Sequence, residues 1–201
     1  GLIRTMRPKQ WTKNVLFVFP AIIFDGKLTD FDYEFWQVPL VRVIVACILL
    51  ILMSGTVYII NDLVDIEKDK QHPRKKNRPL PSGQLPVRVA QIAAIFIPVV
   101  TLAIAFPFDR GLGYVLSGYL VLQIAYSFYL KNMVLLDVLA ITTGFVLRVL
   151  AGWIVFQVEN FSPWLFACSG LLALFLAVGK RRQELVTLGE QALITRPIFK
   201  H

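Results

Sequence analysis

Four stretches of this chain, 43–61, 89–108, 111–130 and 160–179, each run for about 19 or 20 residues without one Asp, Glu, Lys or Arg. That is the length an α-helix needs to cross the hydrocarbon core of a bilayer, roughly 20 residues at 1.5 Å each. Two weaker spans join them: 14–31, whose uncharged part is short, and 134–157, which is interrupted by Arg148. With 56% hydrophobic and only 17% charged residues, against about a quarter charged in ordinary soluble domains, a soluble helical bundle is excluded. The expected fold is all-α: one polytopic transmembrane domain over 1–201, with about six membrane helices.

The charges orient these spans. With the N-terminus inside, 17 of the 21 Lys and Arg fall on inner segments, while Asp25, Asp30, Asp32, Glu34, Asp109 and Glu159 fall outside. Such a positive-inside bias places the N-terminus on the cytoplasmic side of a cell (inner) membrane. The net charge of +8 thus reflects topology, and no aromatic-studded basic surface points to nucleic acid. Cys47 and Cys168 lie within apolar spans and read as packed thiols rather than as a disulfide or metal pair.

The densest charge follows the second span. In "NDLVDIEKDKQHPRKKNRPLPSG", residues 61–83, four acids and six bases crowd an inner segment that reaches to Arg88. If the span continues as a helix through 61–69, Asp62, Asp65 and Asp69 share an arc of about 60°, Asn61 flanks it, and Glu67 points away. Three carboxylates on one face repel each other unless a cation sits among them. Magnesium suits the place: it takes a few carboxylates, keeps waters and completes its octahedron with phosphate oxygens. A solvated helix end paired to Lys68 and Lys70 is the plainer alternative. Arg74, Lys75, Lys76 and Arg78 would meet the phosphate oxygens that the metal leaves uncovered. Pro79, Pro81 and Gly83 should stop the helix and turn those bases back over the acids. His72 reads as an exposed loop histidine.

The N-D-x-x-D-x-x-x-D form of "NDLVDIEKD", followed by "NRPLPSG", resembles the first aspartate-rich motif and following loop of the UbiA superfamily of intramembrane prenyltransferases. The resemblance implies helices arranged around a cavity that opens to the cytoplasmic side and the bilayer. It makes Asn61, Asp62, Asp65 and Asp69 the metal–diphosphate site. Complete members have nine spans, so the last three helices are expected to lie beyond this sequence. Prenyl-transferring members carry a second acidic motif at the inner end of the sixth span. Here that stretch reads "AVGKRRQELVTLGEQ", with Lys180, Arg181 and Arg182 where acids would stand.

That exchange, with "RPKQWTKN", "YSFYLKNMVLLD", "GFVLRVLAG" and "GKRRQEL", is similar to the branch of phosphoribosyltransferases that act on polyprenyl phosphate. The branch implies Mg2+, phosphoribosyl pyrophosphate and a polyprenyl phosphate lipid as cofactor and substrates. One acidic metal site and one basic site suit two anionic substrates better than two acidic sites do. Lys13, Asn14, Tyr126, Lys131 and Asp137, all near inner span ends, are further candidates for substrate contact. Lys131 and Asp137 need not pair, since six residues turn a helix by about −120°. Arg148 lies three turns beyond Asp137, deep in the bilayer, and must find a partner inside the bundle. Its depth favours a structural lock over phosphate binding. An isoprenoid-transferring enzyme and a non-catalytic transporter are the competing readings. Basic residues in place of the second acidic motif speak against the first, and charge gathered at one membrane face speaks against the second.

Overall fold

The computed structural model describes residues 1–12, 14, 33–73, 75–157 and 162–188, and among them every regular element is helical. A short α1 (Leu2–Thr5) precedes α2 (Tyr33–Val64), α3 (Ile66–Gln71), α4 (Val87–Phe108), α5 (Arg110–Phe128), α6 (Val134–Phe156) and α7 (Pro163–Leu188). Five of these, α2 and α4 to α7, are long and apolar enough to cross a membrane. The expected span over 14–31 falls outside the described residues except for Asn14, as do Lys13 and Arg74.

α2 is the hub. Val43, Ala46, Leu50, Met53 and Val57 recur at helical spacing and are buried against Ala105 of α4, Leu112 and Leu116 of α5, and Ala151 and Val155 of α6. In its apolar stretch 61% of residues are buried, against 17% for α7, which touches the bundle mainly through α6. At 32 residues α2 is about 48 Å long. That exceeds a hydrocarbon core of about 30 Å, so an end of this helix emerges from the apolar slab.

The end of the bundle remote from the 61–83 segment is tied by one acid. Asp109 leaves the helical region between α4 and α5, and its carboxylate accepts from Leu112 N–H at 3.1 Å, capping α5. Arg42 of α2 donates to the same carboxylate at 2.7 Å and to the Val155 carbonyl of α6 at 3.1 Å. Gly113 lets α5 close on α4, because a Cβ there would lie 2.7 Å from the Phe106 ring. At the opposite end a second apolar cluster of Met6, Ile59, Leu80, Leu85, Ala90 and Ala93 pins the N-terminal segment and the 79–86 turn to α2 and α4.

Two sequence expectations are corrected. The helix is not continuous over 61–69: Asp65 (φ −98°, ψ 10°) separates α2 from α3, although Asp65 N–H and Asp69 N–H still reach the carbonyls four residues back. Cys47 is buried as expected, but Cys168 is exposed on the outward side of α7, which has few neighbours to cover it.

Candidate active site at the end of α2

The site is assembled where α2 ends. Asp62 and Asp69 point to a common place, with side chains 2% and 3% exposed. Arg78 Nη1 occupies it, donating to Asp62 Oδ1 at 3.1 Å and to Asp69 Oδ2 at 2.6 Å. Arg7 Nη2 adds a 2.7 Å bond to Asp62 Oδ1, and Lys75 Nζ lies 3.5 Å from Asp69 Oδ1.

The loop chemistry explains how Arg78 returns. A 3-10 turn over Lys75–Asn77 is followed by Gly83 at φ +78°, a left-handed conformation that glycine tolerates without strain. Ser82 N–H bonds the Arg78 carbonyl, Leu85 N–H bonds that of Pro79, and buried Leu80 and Leu85 hold the turn down. Arg7 arrives from the other side in a left-handed conformation of its own (φ +55°), stacked 4.7 Å over the Tyr58 ring.

Asp65 stands apart from the other two acids. The interruption at its own backbone turns it to Lys131 Nζ at 2.7 Å, and it is half-buried where its neighbours are enclosed. Three co-facial carboxylates are therefore not what the structure presents. Among the described residues no three His, Cys, Asp or Glu converge closely enough to hold a metal together. The donor set still fits magnesium, which needs only one or two carboxylates beside waters and phosphate oxygens. Two carboxylates within reach of one cationic nitrogen already share such a point. Glu67, excluded by its helical angle, is exposed and pairs with Lys70.

A second cluster joins α5, α6 and α7. Asp137 is fully buried and receives Arg181 bidentately, Nε to Oδ2 and Nη2 to Oδ1 at 2.9 Å. Tyr126 donates its hydroxyl to the same carboxylate at 2.9 Å. Of the three bases expected to meet an anion, Arg181 is engaged by Asp137 and Tyr126, and the side chains of Lys180 and Arg182 lie at the surface. Lys131 and Asp137 do not pair with each other in these contacts but serve opposite neighbours.

Asn61 accepts from Ser127 Oγ at 2.8 Å and thereby fixes α2 to α5. Asn14 is buried rather than open to the inner face: it donates to Ser54 at 2.9 Å and accepts from Arg148 Nε at 2.8 Å. Arg148 also donates to the Gly144 carbonyl and the Tyr119 hydroxyl, both at 2.7 Å, so it locks three neutral oxygens inside the bundle. Arg7 is the contact that sequence reasoning did not single out. It sits within "RPKQWTKN", yet nothing local shows that it crosses to an acid 55 residues away. Beside this group an open cleft of about 240 Å3 is lined by Arg4, Thr5, Arg7, Asp62, Asn77, Arg78 and Pro79. Three guanidiniums to one carboxylate make it a place for anions.

With this geometry in hand, the comparison with known families is decisive: residues 33–181 match the UbiA prenyltransferase family. The chain belongs to that family. This UbiA family member is 34% identical over 185 residues to a decaprenyl-phosphate phosphoribosyltransferase of Mycolicibacterium smegmatis, covering 92% of this chain and 57% of that protein. It is also 34% identical over 188 residues to the protein of the same name in Corynebacterium glutamicum, with 92% and 55% covered. It therefore spans a little over half the length of these curated relatives. Its fold superposes on a UbiA homolog from Archaeoglobus fulgidus, solved bound to DMAPP and Mg2+, with a TM-score of 0.75 at 19% identity over 98% of this chain and 68% of that one. Five apolar helices within this family make it a multi-pass membrane protein.

Proposed function

We propose that this chain carries the site of a Mg2+-dependent enzyme that moves a 5-phosphoribosyl group from phosphoribosyl pyrophosphate to a polyprenyl (decaprenyl-type) phosphate. Pyrophosphate is released, and the product serves the synthesis of cell-envelope glycan precursors. The observation that carries this reading is the inner end of α7, where Lys180, Arg181 and Arg182 stand in place of a second acidic motif. The similarity to decaprenyl-phosphate phosphoribosyltransferases supports it. The site faces the cytoplasm of an inner membrane, as the inward bias of Lys and Arg suggests.

Asp62 and Asp69 hold the metal, and Asp65 joins them on exchanging Lys131. When bound, Mg2+ neutralises the charge that builds on a departing diphosphate. Arg78, Arg7 and Arg74 take the remaining diphosphate oxygens, bidentately where the fork allows. Lys131, Lys180 and Arg182 meet the second phosphate, and Arg181 is held by Asp137 and Tyr126 so that α7 keeps those bases over the site. Asn61 keeps the metal-bearing end of α2 in place through Ser127, and Asn14 acts from inside the bundle through its bond to Arg148.

The lipid phosphate oxygen attacks C1 of the ribose as the C1–O bond to pyrophosphate breaks, with inversion at C1. An ionised phosphate is already the nucleophile, so no general base is required. The reacting carbon is cation-like in the transition state and is favoured by nearby carboxylates.

The test is direct. The detergent-purified protein is incubated with Mg2+, radiolabelled phosphoribosyl pyrophosphate and a polyprenyl phosphate, and label is followed into the lipid. Labelled lipid that disappears in Asp65→Asn supports the transfer and the assignment of the acids. Absence of that product, with isoprenoid transfer from a prenyl diphosphate to an aromatic acceptor, overturns it in favour of prenyl transfer.

A further inference from the structure

The acids at the end of α2 are matched by bases of the chain itself. Asp62 and Asp69 bring two negative charges. Arg7 at 2.7 Å, Arg78 at 2.6 and 3.1 Å, and Lys75 at 3.5 Å bring three positive ones. Asp65 is balanced separately by Lys131. A divalent cation approaching alone meets a set that is already positive. It gains both carboxylates only by displacing Arg78, whose Nη1 stands where they meet. A displaced guanidinium beside two enclosed acids needs another anion, since a charge stripped of its partner in a half-buried place is costly. The cleft begins at that point: Arg78 and Asp62 line it together with Arg4, Arg7 and Asn77.

We propose that Arg78 is a built-in counter-cation of the Asp62–Asp69 pair, and that a divalent metal enters only together with a diphosphate. Arg78 then passes from the carboxylates to the phosphate oxygens. This rests on the reading above only in taking the cleft as a diphosphate site, and it asks nothing about what the diphosphate carries. The arrangement makes metal and diphosphate binding mutually dependent, and by linkage each raises the affinity of the other by the same factor. It also keeps the carboxylates from holding a stray cation that no substrate accompanies.

Metal binding itself provides the test, with no turnover needed. The detergent-purified chain is titrated with Mn2+ alone, with methylenediphosphonate alone, and with their preformed complex, followed by calorimetry and Mn2+ paramagnetic resonance. The wild-type chain should take the complex at least about tenfold more tightly than either component, within the usual range of coupling between sites. Arg78→Gln should strengthen binding of Mn2+ alone by about tenfold and erase the preference for the complex. Arg78→Lys keeps the charge and should keep the preference, which guards against a folding defect in the glutamine variant. A wild-type chain that binds Mn2+ alone as tightly as the complex overturns the proposal, and so does an Arg78→Gln chain whose affinity for Mn2+ alone is unchanged. Coupled binding without phosphoribosyl transfer would leave this inference standing and remove the reading above; transfer without coupling would do the reverse.

Discussion

Arg148 Nε donates to Asn14 Oδ1 at 2.8 Å, joining two buried residues 134 positions apart. The other bonds of this guanidinium go to a helix carbonyl and a phenol, so an intramembrane cation is held by neutral oxygens throughout. Rings add to the support, with Tyr119 at 4.9 Å and Phe145 at 5.2 Å from the guanidinium carbon. The lock connects the N-terminal segment to α6 and, through Ser54, to α2.

Removing the neutral partner should therefore hurt more than its size suggests. Asn14→Leu leaves Arg148 Nε without an acceptor and should cost about 2 to 3 kcal/mol. Combining it with Arg148→Met should cost less than the two single changes added, because the orphaned charge is gone. Thermal unfolding of the four proteins in one detergent measures this, and strict additivity would refute the lock.

Asp137 and Arg181 should behave as a buried ion pair. Asp137→Asn removes the carboxylate charge that the buried guanidinium grips bidentately, with an expected loss of roughly 3 kcal/mol. Arg181→Lys keeps the charge but cannot span both carboxylate oxygens, so it should fall between wild type and Asp137→Asn. Limited proteolysis near 182–188 should rise in the same order, since this pair fastens the inner end of α7 to α6.

At the opposite end of the bundle, Asp109→Ala removes both a helix cap and the partner of Arg42. A stability loss of about 1 to 2 kcal/mol is expected, with the affinity for the Mn2+–methylenediphosphonate complex unchanged. A shift in that affinity would mean that the Asp109 stitch is coupled to the site at the far end of the bundle.

Thiol labelling separates the two cysteines. Cys168 is left uncovered by the other helices and Cys47 is buried among them, so the membrane-permeant N-ethylmaleimide should modify Cys168 ahead of Cys47 in the folded protein, and Cys47 only on unfolding. Mass spectrometry of Cys168→Ser identifies which one. Rapid labelling of that variant would contradict the packing of α2.

How much was legible from sequence differs between residues. The spans over 89–108, 111–130 and 134–157 reappear as α4 to α6 within a few residues, and 43–61 lies inside the longer α2, because a charge-free run of membrane length has little choice but a helix. The return of Arg78 over the acids was also foreseeable, since proline and glycine at 79, 81 and 83 demand a turn. Cys168 was not: an apolar position on a span reads the same whether it faces a neighbouring helix or the surroundings. The break at Asp65 was hidden too, because the aspartates keep helical spacing while one backbone angle changes.

Sequence alone determined that this chain is a multi-pass helical protein of the UbiA family, and where along it the charged chemistry lies. Local composition carries the helical spans, since transfer of apolar segments into lipid depends on each segment by itself, and the family is carried by the resemblance of the aspartate-rich motif over 61–69. Only the tertiary structure decided the pairings: Asp62 and Asp69 with Arg78, Asp65 with Lys131, Asp137 with Arg181, Asn14 with Arg148. Most of these partners lie tens of residues apart, and a charge buried in a bundle takes whichever opposite group the packing of other helices delivers. Sequence supplied the bases and acids of the site; the fold chose which cancel each other and which stay turned toward the cleft.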